Sequence, residues 1–80
     1  MASTKILVVD DDVNICEIIR LYLEKEGYEV LTAMDGKQAI EMFKEQAPGL
    51  VLLDIMLPVV DGRQVCSEFR RISNIPIIML

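Results

Sequence analysis

Three aspartates stand where short apolar runs end. Asp10 and Asp11 follow Lys5-Ile6-Leu7-Val8-Val9, and Asp54 follows Leu50-Val51-Leu52-Leu53. If the two runs are neighbouring parallel strands, all three carboxylates meet at the carboxyl end of the sheet, where open α/β sheets bind ligands. Carboxylates a few ångströms apart repel one another and need protonation or a bound cation to coexist. Oxygen-only ligands with open positions suit Mg2+, which keeps several waters and accepts one or two carboxylates plus phosphate oxygens. The chemistry open to such a cluster is metal-assisted phosphoryl transfer with an Asp as covalent acceptor. The plain alternative is structural, because Asp at strand ends and helix N-caps satisfies free backbone N–H groups. Capping is the default for Asp12, and turn formation is the default for Asp35 and Asp61, each followed by Gly. For Asp10, Asp11 and Asp54, spacing by itself leaves both readings open.

The elements that must hold these groups alternate along the chain. Lys5–Val9 is a β-branched run of the kind buried on both faces of a sheet. A helix is predicted over Val13–Lys25, with Ile15, Ile18, Ile19, Tyr22 and Leu23 as its inward stripe. Asn14 and Glu17 resemble a capping box at its start, and Gly27 is a natural stop. Tyr28–Ala33 is a more polar strand suited to a sheet edge. Lys37–Gln46 is a second helix with Ala39, Ile40 and Phe43 inward, ended by Ala47-Pro48-Gly49. Leu50–Leu53 is the third strand, and Ile55–Gly62 is a loop. Arg63–Ile72 is a third helix with Val65, Phe69 and Ile72 on one face, and Ile75–Leu80 begins a fourth strand. The order βαβαβαβ, with helices long enough to be crossovers, predicts parallel strands and right-handed connections.

Composition narrows the function classes. The 80 residues, 52% of them hydrophobic, suit one domain over residues 1–80. A chain of this length buries only about 60–65% of its unfolded surface, so its stability is marginal. A net charge of −5 argues against nucleic acid as a direct partner and is compatible with a cation or a basic surface. The apolar run before Asp10 is too short for a signal-peptide core or a membrane span, which leads us to expect a cytoplasmic protein. Cys16 and Cys66 are then expected as reduced thiols packed on helices.

Competing motifs fail on particular residues. Asp10, Asp12 and Asn14 match the opening of a calcium-binding loop, but Ile15 occupies its Gly position and Leu21 its closing Glu position. A Mg2+-dependent phosphatase of the haloacid dehalogenase type wants a second Asp two residues after its nucleophile, where Met56 stands. No Gly-rich phosphate loop is present, and the absence of His removes Ser-His and Cys-His catalysis.

Taken together, Ile6-Leu7-Val8-Val9-Asp10-Asp11-Asp12, Leu52-Leu53-Asp54-Ile55-Met56-Leu57-Pro58-Val59-Val60-Asp61-Gly62 and Ile75-Pro76-Ile77-Ile78-Met79-Leu80 resemble the receiver domain of two-component response regulators. The resemblance covers essentially the whole chain. It implies a flavodoxin-like α/β fold with strand order 2-1-3-4, as part of the family's 2-1-3-4-5 sheet. It implies a phosphoacceptor domain rather than an enzyme, receiving a phosphoryl group from a sensor histidine kinase. By that resemblance Asp54 is the acceptor, Asp11 binds Mg2+ directly, Asp10 helps through water or a weaker contact, and the backbone carbonyl of Met56 adds a ligand. Pro58 and Gly62 shape the loop. Gly49 stands where the family often has Asp.

The family's switch Ser/Thr and its Lys would follow Leu80, with the fifth strand and last two helices. On that basis residues 1–80 are expected to be phosphorylated weakly and not to switch normally. Strand four becomes an apolar edge and one sheet face keeps only the first helix, so a homodimer or larger oligomer covering that surface is expected. In the family's arrangement Cys16 and Cys66 lie on opposite faces, out of disulfide reach. A second hypothesis, from a different class, is a self-associating half-fold whose carboxylates are idle. Mg2+ binding, abolished by Asp11→Ala, separates the two.

Overall fold

The alternation of side chains along β1 (Lys5–Val9) decides the layering. Ile6 and Val8 point to one face of the sheet and Leu7 and Val9 to the other, and all four are buried. A strand apolar on both sides needs cover on both sides, which the helices provide. The computed structural model describes residues 4–54 and 62–79. Within them β1 is followed by α1 (Val13–Lys25), β2 (Glu29–Ala33), α2 (Gly36–Gln46), β3 (Leu50–Leu53), α3 (Gly62–Ile72) and β4 (Ile77–Met79).

The strands are parallel and ordered β2-β1-β3-β4, as the resemblance implied. β1 is central, with Val9 opposite Ala33 of β2 and Leu53 of β3. That register brings the ends of three strands level. β2 is an edge strand, in keeping with its polar composition.

The larger core lies under α2 and α3. Leu7, Val9, Val51 and Leu53 meet Ala39 and Phe43 of α2 and Val65 and Phe69 of α3. The rings of Phe43 and Phe69 stack with centroids 4.3 Å apart and planes 16° apart, an arrangement that adds to burial alone. On the opposite face α1 packs Cys16, Ile19 and Leu23 against Ile6, Val8, Val30 and Leu52.

This corrects the expected stripe of α1. Ile19 and Leu23 do face the sheet, but Cys16 completes the row, while Ile18 is 55% and Tyr22 71% exposed. Two apolar rows run along this helix at the same spacing, and periodicity cannot choose between them. Ile72, expected inward on α3, is exposed. The start of α1 is also corrected. Asp12 is its N-cap, accepting the amides of Asn14 and Ile15, in place of an Asn14–Glu17 box. Glu17 instead pairs with Arg20 on the outer surface. Asp35 likewise caps α2 by accepting the Gln38 amide at 2.8 Å. Gly27 ends α1 at φ +93°, a conformation that favours glycine.

Met56, Pro58 and Asp61, singled out in the sequence, lie outside the described residues. Gly62 opens α3. No described helix is long and apolar enough to cross a membrane.

Candidate acidic site at the sheet's carboxyl end

Each aspartate of the site is placed by the strand before it. The Asp10 amide donates to the carbonyl of Ala33 at 3.1 Å, extending the β1–β2 ladder past its last pair. The Asp54 amide donates to the carbonyl of Val9 at 2.9 Å, extending the β1–β3 ladder in the same way. Asp10 and Asp54 therefore leave adjacent strands at the same level, and Asp11 follows directly. One carboxylate oxygen from each of Asp10, Asp11 and Asp54 lies within 4.8 Å of the others. The structure brings together all three of the sequence-predicted carboxylates that lie among the described residues.

Their surroundings differ. Asp10 is 5% exposed, Asp54 is half-buried and Asp11 is exposed. Burial pushes the Asp10 carboxyl above its ordinary 3.8. The amide of Asp12, donating to its Oδ1 at 2.9 Å, opposes this, and the charges of Asp54, Asp11 and Asp12 push it further up. Ionising the buried Asp10 beside its acidic neighbours is therefore unfavourable, and a bound cation would relieve that cost.

The donor set fits Mg2+. It is all oxygen, carries excess negative charge, and is graded from a buried carboxylate to an exposed one that leaves room for water and phosphate oxygens. Asp12 is not a member of the trio, because its carboxylate is spent on the first amides of α1.

One contributor was not legible as such in the sequence. The Cys16 thiol donates to the backbone carbonyl of Asp10 at 3.3 Å. Burial pushes this thiol's pKa up, and the nearby Asp10 charge adds to the effect. The sequence reading treated Cys16 as a packing residue. The signal that could have found it is a residue able to donate a hydrogen bond on the inward side of the first helical turn after an acidic pair. Cys66 lies on the other side of the sheet, partly buried against the α2–α3 core, and both cysteines are free.

Comparison with known proteins gives a consistent result. The sequence pattern of the response regulator receiver domain matches residues 6–80. The chain is 53% identical over 76 residues to the "Probable transcriptional regulator ycf27" of Cyanophora paradoxa, covering 95% of this chain and 32% of that protein. It thus spans about a third of the length of the curated relatives it matches. Among solved structures, the Vibrio cholerae chemotaxis protein CheY4 superposes with a TM-score of 0.93 at 32% identity, covering 98% of this chain and 68% of that one. The BeF3-activated N-terminal receiver domain of Klebsiella pneumoniae RstA superposes with a TM-score of 0.90 at 38% identity, covering 95% and 65%. The idle half-fold gains no support from these likenesses.

Proposed function

Because this chain belongs to the response regulator receiver domain family of two-component systems, we propose that Asp54 accepts a phosphoryl group from a phosphohistidine of a sensor histidine kinase. The observation that carries this reading is the meeting of Asp10, Asp11 and Asp54 oxygens within 4.8 Å at the sheet's carboxyl end. A carboxylate oxygen of Asp54 attacks phosphorus in line, the P–N bond of the donor breaks, and its electron pair returns to the imidazole nitrogen. The product is an acyl phosphate on Asp54. The domain acts as an acceptor, not as an enzyme with its own turnover.

Asp10 and Asp11 would hold Mg2+ together with Asp54. The bound ion supplies charge neutralisation for the phosphoryl oxygens and for the crowded carboxylates. The protein's own contribution is placement. β1 and β3 hold the acceptor and the acidic pair level. A receiver domain 38% identical to this chain is BeF3-activated, which supports reading the same site here as an anion acceptor. We assign the protein to the cytoplasm, with a sensor kinase rather than nucleic acid as the direct partner of this domain.

Self-association is the other half of this reading. Ile78 pairs in register with Leu52 on the α1 side of the sheet, and Ile78, Met79, Ile18 and Tyr22 are exposed. A second copy pairing along the edge strand β4, where Ile78 and Met79 project to opposite faces, gives a homodimer. Light scattering on the chain at high micromolar concentration is expected to report a dimer or larger species, and a monomer refutes it.

The acceptor role is tested with acetyl phosphate, Mg2+ and intact-mass analysis. The expected result is a Mg2+-dependent adduct of about 80 Da, one phosphoryl group, in low yield, that Asp54→Asn abolishes. An adduct of equal yield on Asp54→Asn, or none on the wild-type chain, overturns the assignment.

A further inference from the structure

Asp10 is held at three points by three segments. Its amide donates to Ala33 after the β1–β2 ladder, its Oδ1 accepts from the Asp12 amide, and its carbonyl accepts from the Cys16 thiol inside the first turn of α1. The third contact differs from the other two in what it orients. The carbonyl of Asp10 lies in the same rigid peptide plane as the amide and Cα of Asp11. Holding that oxygen restrains rotation of the plane, and so restrains the directions in which the Asp10 and Asp11 side chains leave the backbone.

Such restraint is needed at this point. Asp10 is a buried carboxylate beside two like charges, and repulsion favours turning the acidic pair away from Asp54. Cys16 is itself 4% exposed and wedged among Ile6, Val8 and Ile19, so its thiol has little freedom to leave the bond. We propose that Cys16 is a positioning residue for the acidic site. Its thiol holds the Asp10–Asp11 peptide plane so that both carboxylates converge with that of Asp54. The inference rests on the reading of this trio as a Mg2+ site.

Two substitutions separate positioning from packing. Cys16→Ser keeps a donor and loses apolar fit, whereas Cys16→Val keeps apolar volume and loses the donor. Mg2+ affinity is measured by calorimetric titration of the full chain. Cys16→Val is expected to weaken binding about three- to tenfold, the range a single hydrogen bond conveys, and Cys16→Ser is expected to stay near wild type. A packing role alone gives the reverse order and overturns the proposal. Should Cys16→Val fail to fold, Cys16→Ala carries the same comparison with Ser.

The metal-free protein supplies a second readout. The Asp11 amide resonance is expected to move in Cys16→Val and to stay in Cys16→Ser. Equal resonances in both variants overturn the role of Cys16 whatever the metal does. Failure of the wild-type chain to bind Mg2+ overturns the metal reading itself, and the proposal with it.

Discussion

The backbone amide of Asp54 donates to the carbonyl of Val9 at 2.9 Å, one step past the last register pair of β1 and β3. This bond sets the acceptor level with Asp10. The site is thus an extension of the sheet's ladder, and backbone hydrogen bonds set the level of Asp10 and Asp54.

The buried carboxylate makes stability depend on pH. The carboxyl of Asp10 titrates above its ordinary 3.8 in the folded chain, through burial first and then its acidic neighbours. As pH rises through 3.8 the unfolded chain releases this proton first, so unfolding is favoured progressively until the folded group also ionises. Above that point the destabilisation is constant, and below 3.8 it vanishes. Asp10→Asn, which keeps an acceptor for the Asp12 amide, is expected to melt at higher temperature than wild type at pH 7 and at the same temperature at pH 3. Equal melting temperatures across the range sink the assignment.

Asp11 separates binding from folding. It is exposed, so Asp11→Ala is expected to change stability in the absence of metal by less than about 0.5 kcal/mol. The same change is expected to abolish Mg2+ binding. At a free Mg2+ concentration of about a hundred times its dissociation constant, the wild-type chain gains about 2.7 kcal/mol and the variant gains none. Melts with and without Mg2+ measure both quantities.

The register of α1 is open to test by adjacent residues. Leu23 packs toward Ile6 and Val8, while Tyr22 is exposed. Leu23→Ala is expected to cost about 2 kcal/mol, the low end for an aliphatic truncation because the site is only partly buried. Tyr22→Ala is expected to stay below about 0.5 kcal/mol. Urea denaturation that reverses this order refutes the placement of the helix.

Phe69 is the fully buried partner of the aromatic stack. Phe69→Ala is expected to cost about 3–5 kcal/mol, a large share of what a small domain has. Its readout is loss of the cooperative thermal transition at 37 °C, and a wild-type melt excludes the packing described here.

Much was legible in the residues. β1, α1 and β3 run over the ranges that hydrophobic pattern and breakers indicated, because Ile6-Leu7-Val8-Val9 and Leu50–Leu53 are uninterrupted apolar runs followed by Asp. The stop at Gly27 followed from local backbone chemistry. The inward row of α1 was not legible, since Ile15, Ile18 and Tyr22 repeat at the same interval as Cys16, Ile19 and Leu23. Nor was the cap, because Asp12 and Asn14 are both good capping residues and only the backbone decides which one faces the free amides.

By itself, then, the amino-acid order determined that strands would alternate with crossover helices and that three carboxylates would stand at strand ends. Those are local properties of apolar runs and the residues that end them. Which strand lies beside which is a matter of long-range pairing, and only the tertiary structure decided that Asp10 and Asp54 share one site. It also decided that Asp10 is buried while Asp11 is not, and that a cysteine holds the carbonyl between them. Burial and repulsion depend on distances through space, which no spacing along the chain supplies.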